Sequence, residues 1–310
     1  MPEEEPQRGN RWTEHAVQLL TDIGWTQSGS SNVDIPCSLH RDRRHPHGID
    51  LFMTYFDPYQ NCKIGIIGEA KNYAWRGINR SNIQNWINEL IQKIECVPYS
   101  DEFYERLNLN HLPVNTGLLM IWAHDSFDKA EFINYLNNIT IPKKRSIIRI
   151  FVLGNHEILK LYSLKRKVAE IRSVQNSSFN IFYPSYQGND SYRATNLITL
   201  EYIKSKYIFG KMTQMIQYAG TSAPTPINCA VVFYFDKLTF DALKHMYLAL
   251  RRFQLTEQKI IIYYYLDETE NIEHFSPHIE QFKREYSGNE RDKFNFEPIE
   301  ILDSVPWRVD

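Results

Sequence analysis

Gly48-Ile49-Asp50 and, eighteen residues after Asp50, Gly68-Glu69-Ala70-Lys71 are the two segments that decide the fold of this chain. Each sits on an apolar run with strand character, Ile49 to Phe56 for the first and Lys63 to Ala70 for the second. Side chains alternate along a strand, so Glu69 and Lys71 share one face and Ala70 takes the other. When the two runs pair as neighbours, Asp50 falls beside Glu69, and two carboxylates and one ammonium occupy one small space. That set of oxygen donors suits a divalent cation that activates water against a phosphodiester. A charge that interrupts an apolar strand is costly to bury without a partner, which separates these residues from ordinary surface charges. Gly68 and Ala70 are small and are expected to leave the opposite face open to close helix packing.

The wider sequence narrows the possibilities. A length of 310 residues accommodates two domains, and 43% hydrophobic with 14% aromatic content predicts an ordered chain with a substantial core. No apolar run reaches the roughly 20 residues of a helical membrane span, so no membrane is expected. The opening Met1-Pro-Glu-Glu-Glu-Pro lacks the basic-then-apolar order of a signal peptide. Cys37, Cys62, Cys96 and Cys229 are scattered with no C-x-x-C pair, and are read as ordinary thiols in a reducing compartment rather than zinc ligands or a disulfide frame. A cytoplasmic location is the expectation. The net charge of −2 argues against indiscriminate nucleic-acid binding, but its distribution is uneven. From Glu257 onward thirteen acids and six bases leave −7, so the first 256 residues carry +5. Arg41, Arg43 and Arg44, then Lys63, Arg76 and Arg80, then Lys143, Lys144 and Arg145 form basic clusters that would suit a polyanion around an acidic pocket, or else be solvated loop charge.

Helical spacing of Ala16, Val17, Leu19, Leu20 and Ile23 predicts a helix over Thr13 to Ile23, capped by Thr13 and ended by Gly24. Residues 26–48 read mostly as loop. After the two strands, Ile83, Trp86, Ile87, Leu90, Ile91 and Ile94 make a broad apolar face on a helix from Asn82 to Val97. Gly117 to Ala123 and Ile147 to Leu153 read as buried strands, with a helix Lys129 to Asn137 between them. The predicted class is α/β, a mixed sheet flanked by helices. The predicted division is 1–172 as the first domain, the Ser/Asn/Tyr/Gly-rich 173–195 as a linker, and 196–310 as a second α/β domain. That second domain is expected to hold a helical run from Asn196 to about Gln217, strands Ala230 to Phe235 and Lys259 to Leu266, and helix Phe240 to Phe253. A last helix Ile279 to Tyr286 and a strand Pro298 to Leu302 complete it.

With Asp50, Glu69 and Lys71 in view, and a Trp-Thr-Glu-His helix upstream ending at Gly24-Trp25, residues 10 to 160 resemble the PD-(D/E)xK nuclease superfamily, the restriction-endonuclease-like fold. Asp50 matches the first acid of that pattern, Glu69 the second, and Lys71 the lysine. Glu14 matches the acid on the family's first helix, and Gln84 is a looser match to a polar residue on the helix after the motif. Ile49 stands where the pattern has proline. The resemblance implies that Asp50, Glu69 and the Ala70 carbonyl hold Mg²⁺, with Mn²⁺ able to substitute, and that Lys71 positions water and stabilises developing charge. It also implies an endonuclease acting on nucleic acid, with DNA the expected substrate. A homodimer or a partner subunit, and a role in bacterial defence against phage, are further expectations. The alternative is a catalytically silent subunit that keeps the fold and binds nucleic acid or a protein. In the endonuclease reading, the second domain is expected to recognise substrate or a partner subunit.

Other motifs carry less. Gly154-Asn155-His156-Glu157 looks like one signature of calcineurin-like metallophosphoesterases, but the chain has no Gly-Asp dipeptide and no later Gly-x-His, so a turn at a strand end is the simpler account. His124-Asp125 has no Ser or Cys elbow beside it and reads as a polar strand end. Tyr263, Tyr264 and Tyr265 read as strand packing rather than a base-stacking platform. No glycine-rich phosphate loop is present, which excludes P-loop ATP hydrolysis.

Overall fold

The computed structural model describes residues 4–300, 302 and 305, except 38, 41–44, 108–111, 145, 175–176, 185–193, 217–222, 267–271 and 287. The chain forms two compact units that part between Ile158 and Leu159.

The N-terminal unit contains α1 (Glu4–Asp22), β1 (Thr26–Gln27), the hairpin β2 (Val33–Ile35) and β3 (His47–Ile49), then β4 (Leu51–Asp57) and β5 (Cys62–Tyr73). These are followed by α2 (Arg80–Cys96), α3 (Asp101–Leu107), β6 (Val114–Ala123), α4 (Lys129–Asn137) and β7 (Arg149–Leu153), before α5 (Asn155–Ser173) begins. The five-stranded sheet has the order β1-β4-β5-β6-β7. β4 is antiparallel to β1 and β5, whereas β6 is parallel to β5 and β7, so the sheet is mixed. α1 begins well before Thr13, which lies buried inside the helix rather than at its cap. Pro6 is no obstacle there, because a first turn has no use for its missing N–H. Gly24, at φ +94°, ends α1 in the left-handed region that favours glycine.

Two helices cover the two faces of this sheet. Trp12, Ala16, Leu19 and Leu20 of α1 are fully buried, and Trp12 lies 5.9 Å from Trp122 while its indole N–H reaches the Met120 carbonyl at 3.4 Å. On the other face, Ile83, Ile87, Leu90, Ile91 and Ile94 of α2 form one core with Ile67 of β5 and with Leu119, Ile121 and Ala123 of β6. Each such buried side chain contributes about 1.5–3 kcal/mol relative to exposure. Asn79 caps α2, its side chain accepting from the Asn82 N–H at 3.0 Å. α5 was missing from the sequence expectation. Glu157 accepts the Gly154 N–H at 3.0 Å, and the Asn155 amide donates to and accepts from the Ala123 backbone at 2.8 Å each. The Asn-His-Glu segment is therefore the first turn of a helix, pinned to the end of β6, and not an isolated turn.

The second unit continues with β8 (Ser178–Phe182), β9 (Ala194–Thr195), α6 (Leu200–Lys204), β10 (Tyr207–Ile216), β11 (Thr225–Tyr234), α7 (Phe240–Arg252), β12 (Lys259–Leu266), α8 (Ile272–Arg284) and β13 (Phe294–Glu300). Its six strands run in the order β13-β12-β11-β10-β8-β9, with β11, β12 and β13 mutually parallel and β10 antiparallel to β11 and β8. The expected helix over 196–217 is mostly strand. β10 pairs along its whole length with β11, so ladder hydrogen bonds and the β-branched and aromatic residues Ile208, Phe209 and Thr213 override the helical spacing. Leu243, Met246 and Leu250 of α7 and Phe275, Ile279 and Phe282 of α8 bury against Val232, Ile260, Ile262 and Tyr264 of the sheet. Among the described residues, no helix is long and apolar enough to cross a membrane.

Candidate active site

The register of β4 and β5 creates the site. Leu51 pairs with Gly68, so Asp50, one residue before the ladder, stands opposite Glu69 and on its face of the sheet. The Leu51 side chain fills the space that glycine leaves at 68: a Cβ there would lie 2.3 Å from Leu51 Cδ1. The small residue thus makes room for a side chain of the next strand, not for a helix as the sequence suggested. Asp50 Oδ2 accepts the Ala70 N–H at 2.9 Å. Lys71 Nζ lies 2.9 Å from Glu69 Oε2 and 3.8 Å from Asp50 Oδ2, so one ammonium bridges both acids.

A fourth member was absent from the sequence account. Lys93 of α2 projects down onto the sheet and pairs with Glu69 Oε1. Glu69 is 1% exposed and Lys93 5%. The signal was present in the helix pattern: Lys93 follows Leu90 by three residues and precedes Val97 by four, on the stripe that buries Ile83, Ile87 and Ile94. A lysine on such a stripe requires a buried acid, and Glu69 is that acid.

The remaining candidates lie elsewhere. Glu14 is exposed on α1, the helix that covers the Trp122 face, whereas Glu69 and Lys71 lie on the face covered by α2. Gln84 is occupied as a clamp: its amide donates to the Thr140 carbonyl at 2.9 Å and accepts the Thr140 N–H at 2.8 Å. Lys63 is six residues from Glu69 along β5, roughly 20 Å at the rise of a strand, so it does not border the acids. Lys144 is paired with Glu95 at 2.8 Å. Arg41, Arg43, Arg44 and Arg145 fall outside the described residues. Asp125 accepts the Trp75 N–H at 2.7 Å and His124 Nδ1 is 2.9 Å from Asn72 Oδ1, so that pair serves the end of the strands.

The electrostatics follow from the geometry. Burial, reinforced by the negative charge of Glu69, pushes the Asp50 carboxyl above the ordinary aspartate range, while Lys71 and the Ala70 N–H restrain it. Burial alone would weaken the hold of Lys71 on its proton, but Glu69 and Asp50 override this and raise it well above the usual lysine value. Two carboxylates held side by side, Asp50 partly open and Glu69 buried, form a hard-donor set that fits a divalent cation. Two lysines face the two acids, Lys71 reaching both and Lys93 reaching Glu69.

A family model described as the GAPS4 protein PD-(D/E)XK nuclease domain matches residues 1–157. The match covers α1 through the first residues of α5, which includes Asp50, Glu69, Lys71 and Lys93. No curated protein matches the chain.

Proposed function

The chain belongs to the family of GAPS4 PD-(D/E)XK nuclease domains, and on that premise we propose that it is a Mg²⁺-dependent endonuclease whose substrate is DNA. PD-(D/E)XK nucleases generally use divalent metals, and a nuclease domain implies nucleic-acid binding. Asp50, Glu69 and the Ala70 carbonyl would hold the ion, with Mn²⁺ as a substitute. When bound, the ion polarises the scissile phosphate and lowers the pKa of a water.

The observation that carries the proposal is the single Lys71 ammonium within reach of both carboxylates. Lys71 retains its proton at neutral pH, so its role is that of a donor and not of a base. With its side chain 20% exposed, it orients the attacking water and stabilises charge developing on the phosphate. The Ala70 N–H, as distinct from its carbonyl, and Lys93 act one step back, the first fixing Asp50 and the second fixing Glu69. The C-terminal unit is assigned to recognition of substrate or of a partner, and assembly as a homodimer or with a partner subunit fits cutting of both strands. The family resemblance also supports a role in defence against phage. Equal protection of infected cells by wild type and Glu69→Ala would refute a catalytic part in that defence.

A second function is favoured by one feature: both Glu69 oxygens already face ammonium groups. A catalytically silent subunit that binds nucleic acid or protein would have that arrangement permanently. The deciding experiment incubates plasmid, linear duplex, single-stranded DNA and RNA with the protein, with and without Mg²⁺ or Mn²⁺. Cleavage of DNA that is lost in Glu69→Gln and Lys71→Met establishes the nuclease. Absence of cleavage on every substrate, together with no Asp50-dependent heat of Mn²⁺ binding in calorimetry, establishes the silent subunit.

A further inference from the structure

Cys37, His40, His47 and Cys96 converge from three places in the chain, with one potential ligand atom from each lying within 4.8 Å of the others. Cys37 Sγ and Cys96 Sγ are 3.8 Å apart, and His40 Nδ1 lies 3.5 Å from the first and 3.4 Å from the second. Tetrahedral zinc, with Zn–S of about 2.3 Å and Zn–N of about 2.0–2.1 Å, sets ligand edges of about 3.8 Å for S···S and about 3.5 Å for S···N. The edges in the structure coincide with those values. His47 and Cys96 are fully buried, and the His47 ring stands edge-on to His40 with centroids 5.8 Å apart.

We infer that these four residues form a structural Cys₂His₂ zinc site, separate from the acidic cluster. The donor set is soft enough to select zinc over the oxygen-seeking Mg²⁺. Its surroundings have the features of a metal centre. With Nδ1 of His40 turned to the ion, Nε2 carries the proton and faces Glu95 Oε2 at 3.4 Å, and Glu95 is in turn held by Lys144. A carboxylate behind a ligating histidine orients the ring and raises its basicity. The local fold explains how distant ligands meet. β2 and β3 pair Ile35 with His47, which closes the loop that carries Cys37 and His40, and Cys96 is the last residue of α2. The ion therefore fastens this loop to the end of α2. His47 is three residues before Asp50, and Cys96 is three residues after Lys93, so the zinc braces both segments that carry the acidic cluster.

The test uses the full chain purified without chelator or metal affinity resin. Elemental analysis is expected to find about one zinc per chain, falling by on the order of tenfold or more in Cys37→Ser and Cys96→Ser. The exposed Cys62 supplies the control: Cys62→Ser keeps the zinc, as does Glu69→Gln. Should Cys96→Ser fail to fold, two measurements that need no ligand variant remain. Co²⁺ exchanged into the wild type gives thiolate-to-metal charge transfer and tetrahedral d–d absorption. Glu95→Gln, with all four ligands intact, weakens zinc binding by about tenfold. A wild-type protein that carries no zinc and shows no charge-transfer band when Co²⁺ is added to its reduced form overturns the assignment. A Cys37–Cys96 disulfide in the purified protein, or zinc content undiminished in both ligand variants, overturns it equally.

Discussion

Lys93 and Glu69 should behave as one unit in a double-mutant cycle. Glu69 is 1% exposed and meets two ammonium groups, Lys71 at 2.9 Å and Lys93. At an effective dielectric of about 20, the Lys71 contact alone corresponds to about 6 kcal/mol of Coulomb attraction, most of it offset by desolvation of the two ions. Removing one member of a buried pair usually costs about 3–5 kcal/mol, because the survivor stays buried without compensation. Lys71 remains beside Glu69 in Lys93→Met, which places that variant at the low end, about 3 kcal/mol. Glu69→Gln leaves Lys93 buried against an uncharged amide and should cost a similar amount. The double variant removes both charges, so it should cost no more than either single change, a coupling of about 3 kcal/mol. Trp12, Trp25, Trp75, Trp86 and Trp122 all lie in the N-terminal unit, so urea unfolding followed by tryptophan fluorescence reports on the relevant transition. Measured without added divalent metal, additivity of the single variants to within about 0.5 kcal/mol would refute the buried pair.

Asp50→Asn should stabilise the metal-free protein at pH 7 by about 1 kcal/mol, the usual scale when a strained functional group is relieved. The sign follows from linkage. The folded Asp50 carboxyl is raised, so between the ordinary aspartate value and the raised one the native state binds more protons than the unfolded state, and stability falls as pH rises through that window. The asparagine has no such penalty, so its advantage should vanish in acid, where Asp50 is protonated in both states; an advantage independent of pH would contradict the assignment. Gln84→Ala should lose about 1 kcal/mol of stability through the Thr140 clamp while leaving cleavage per folded molecule unchanged. Glu14→Gln should change neither. Loss of turnover in either variant, measured under saturating metal, would return that residue to the site.

The parts of this molecule that were legible in sequence are those governed by local periodicity. Alternation placed Glu69 and Lys71 on one face, and the helix from Asn82 with its apolar stripe appears as α2 with only its ends adjusted. The pairing that sets Asp50 beside Glu69 was legible as a consequence of the two apolar runs being neighbours, but the role of Gly68 was not: it makes room for Leu51 of the paired strand, where the sequence suggested a helix. Three-dimensional assignments failed where they relied on position relative to a motif. Glu14 and Gln84 have suitable residue types at suitable distances along the chain, but α1 covers the wrong face and Gln84 points to the Thr140 backbone. Lys93 and the Cys37–Cys96 pair were missed for the opposite reason. Their partners are 24 and 59 residues distant, and no local pattern announces a contact of that span.

The placement of the missed residues also explains how the cluster can exist. Two acids facing each other across neighbouring strands repel, and that repulsion adds to burial in raising the Asp50 carboxyl. β5 supplies one compensating charge from within itself, Lys71, but a second strand residue on the same face would have to stand two positions away, at Ile67, where the core needs an apolar side chain. The second charge comes instead from a helix lying across the sheet, and its reach depends on how firmly the end of α2 is held. Cys96, one helical turn beyond Lys93, provides that hold through the zinc. Removing the ion should then loosen Lys93 before it unfolds the sheet. The distance from Cys96 to Glu69 is bridged by one turn of helix and one lysine side chain, so the inferred zinc site and the acidic cluster, though chemically unlike, are mechanically in series.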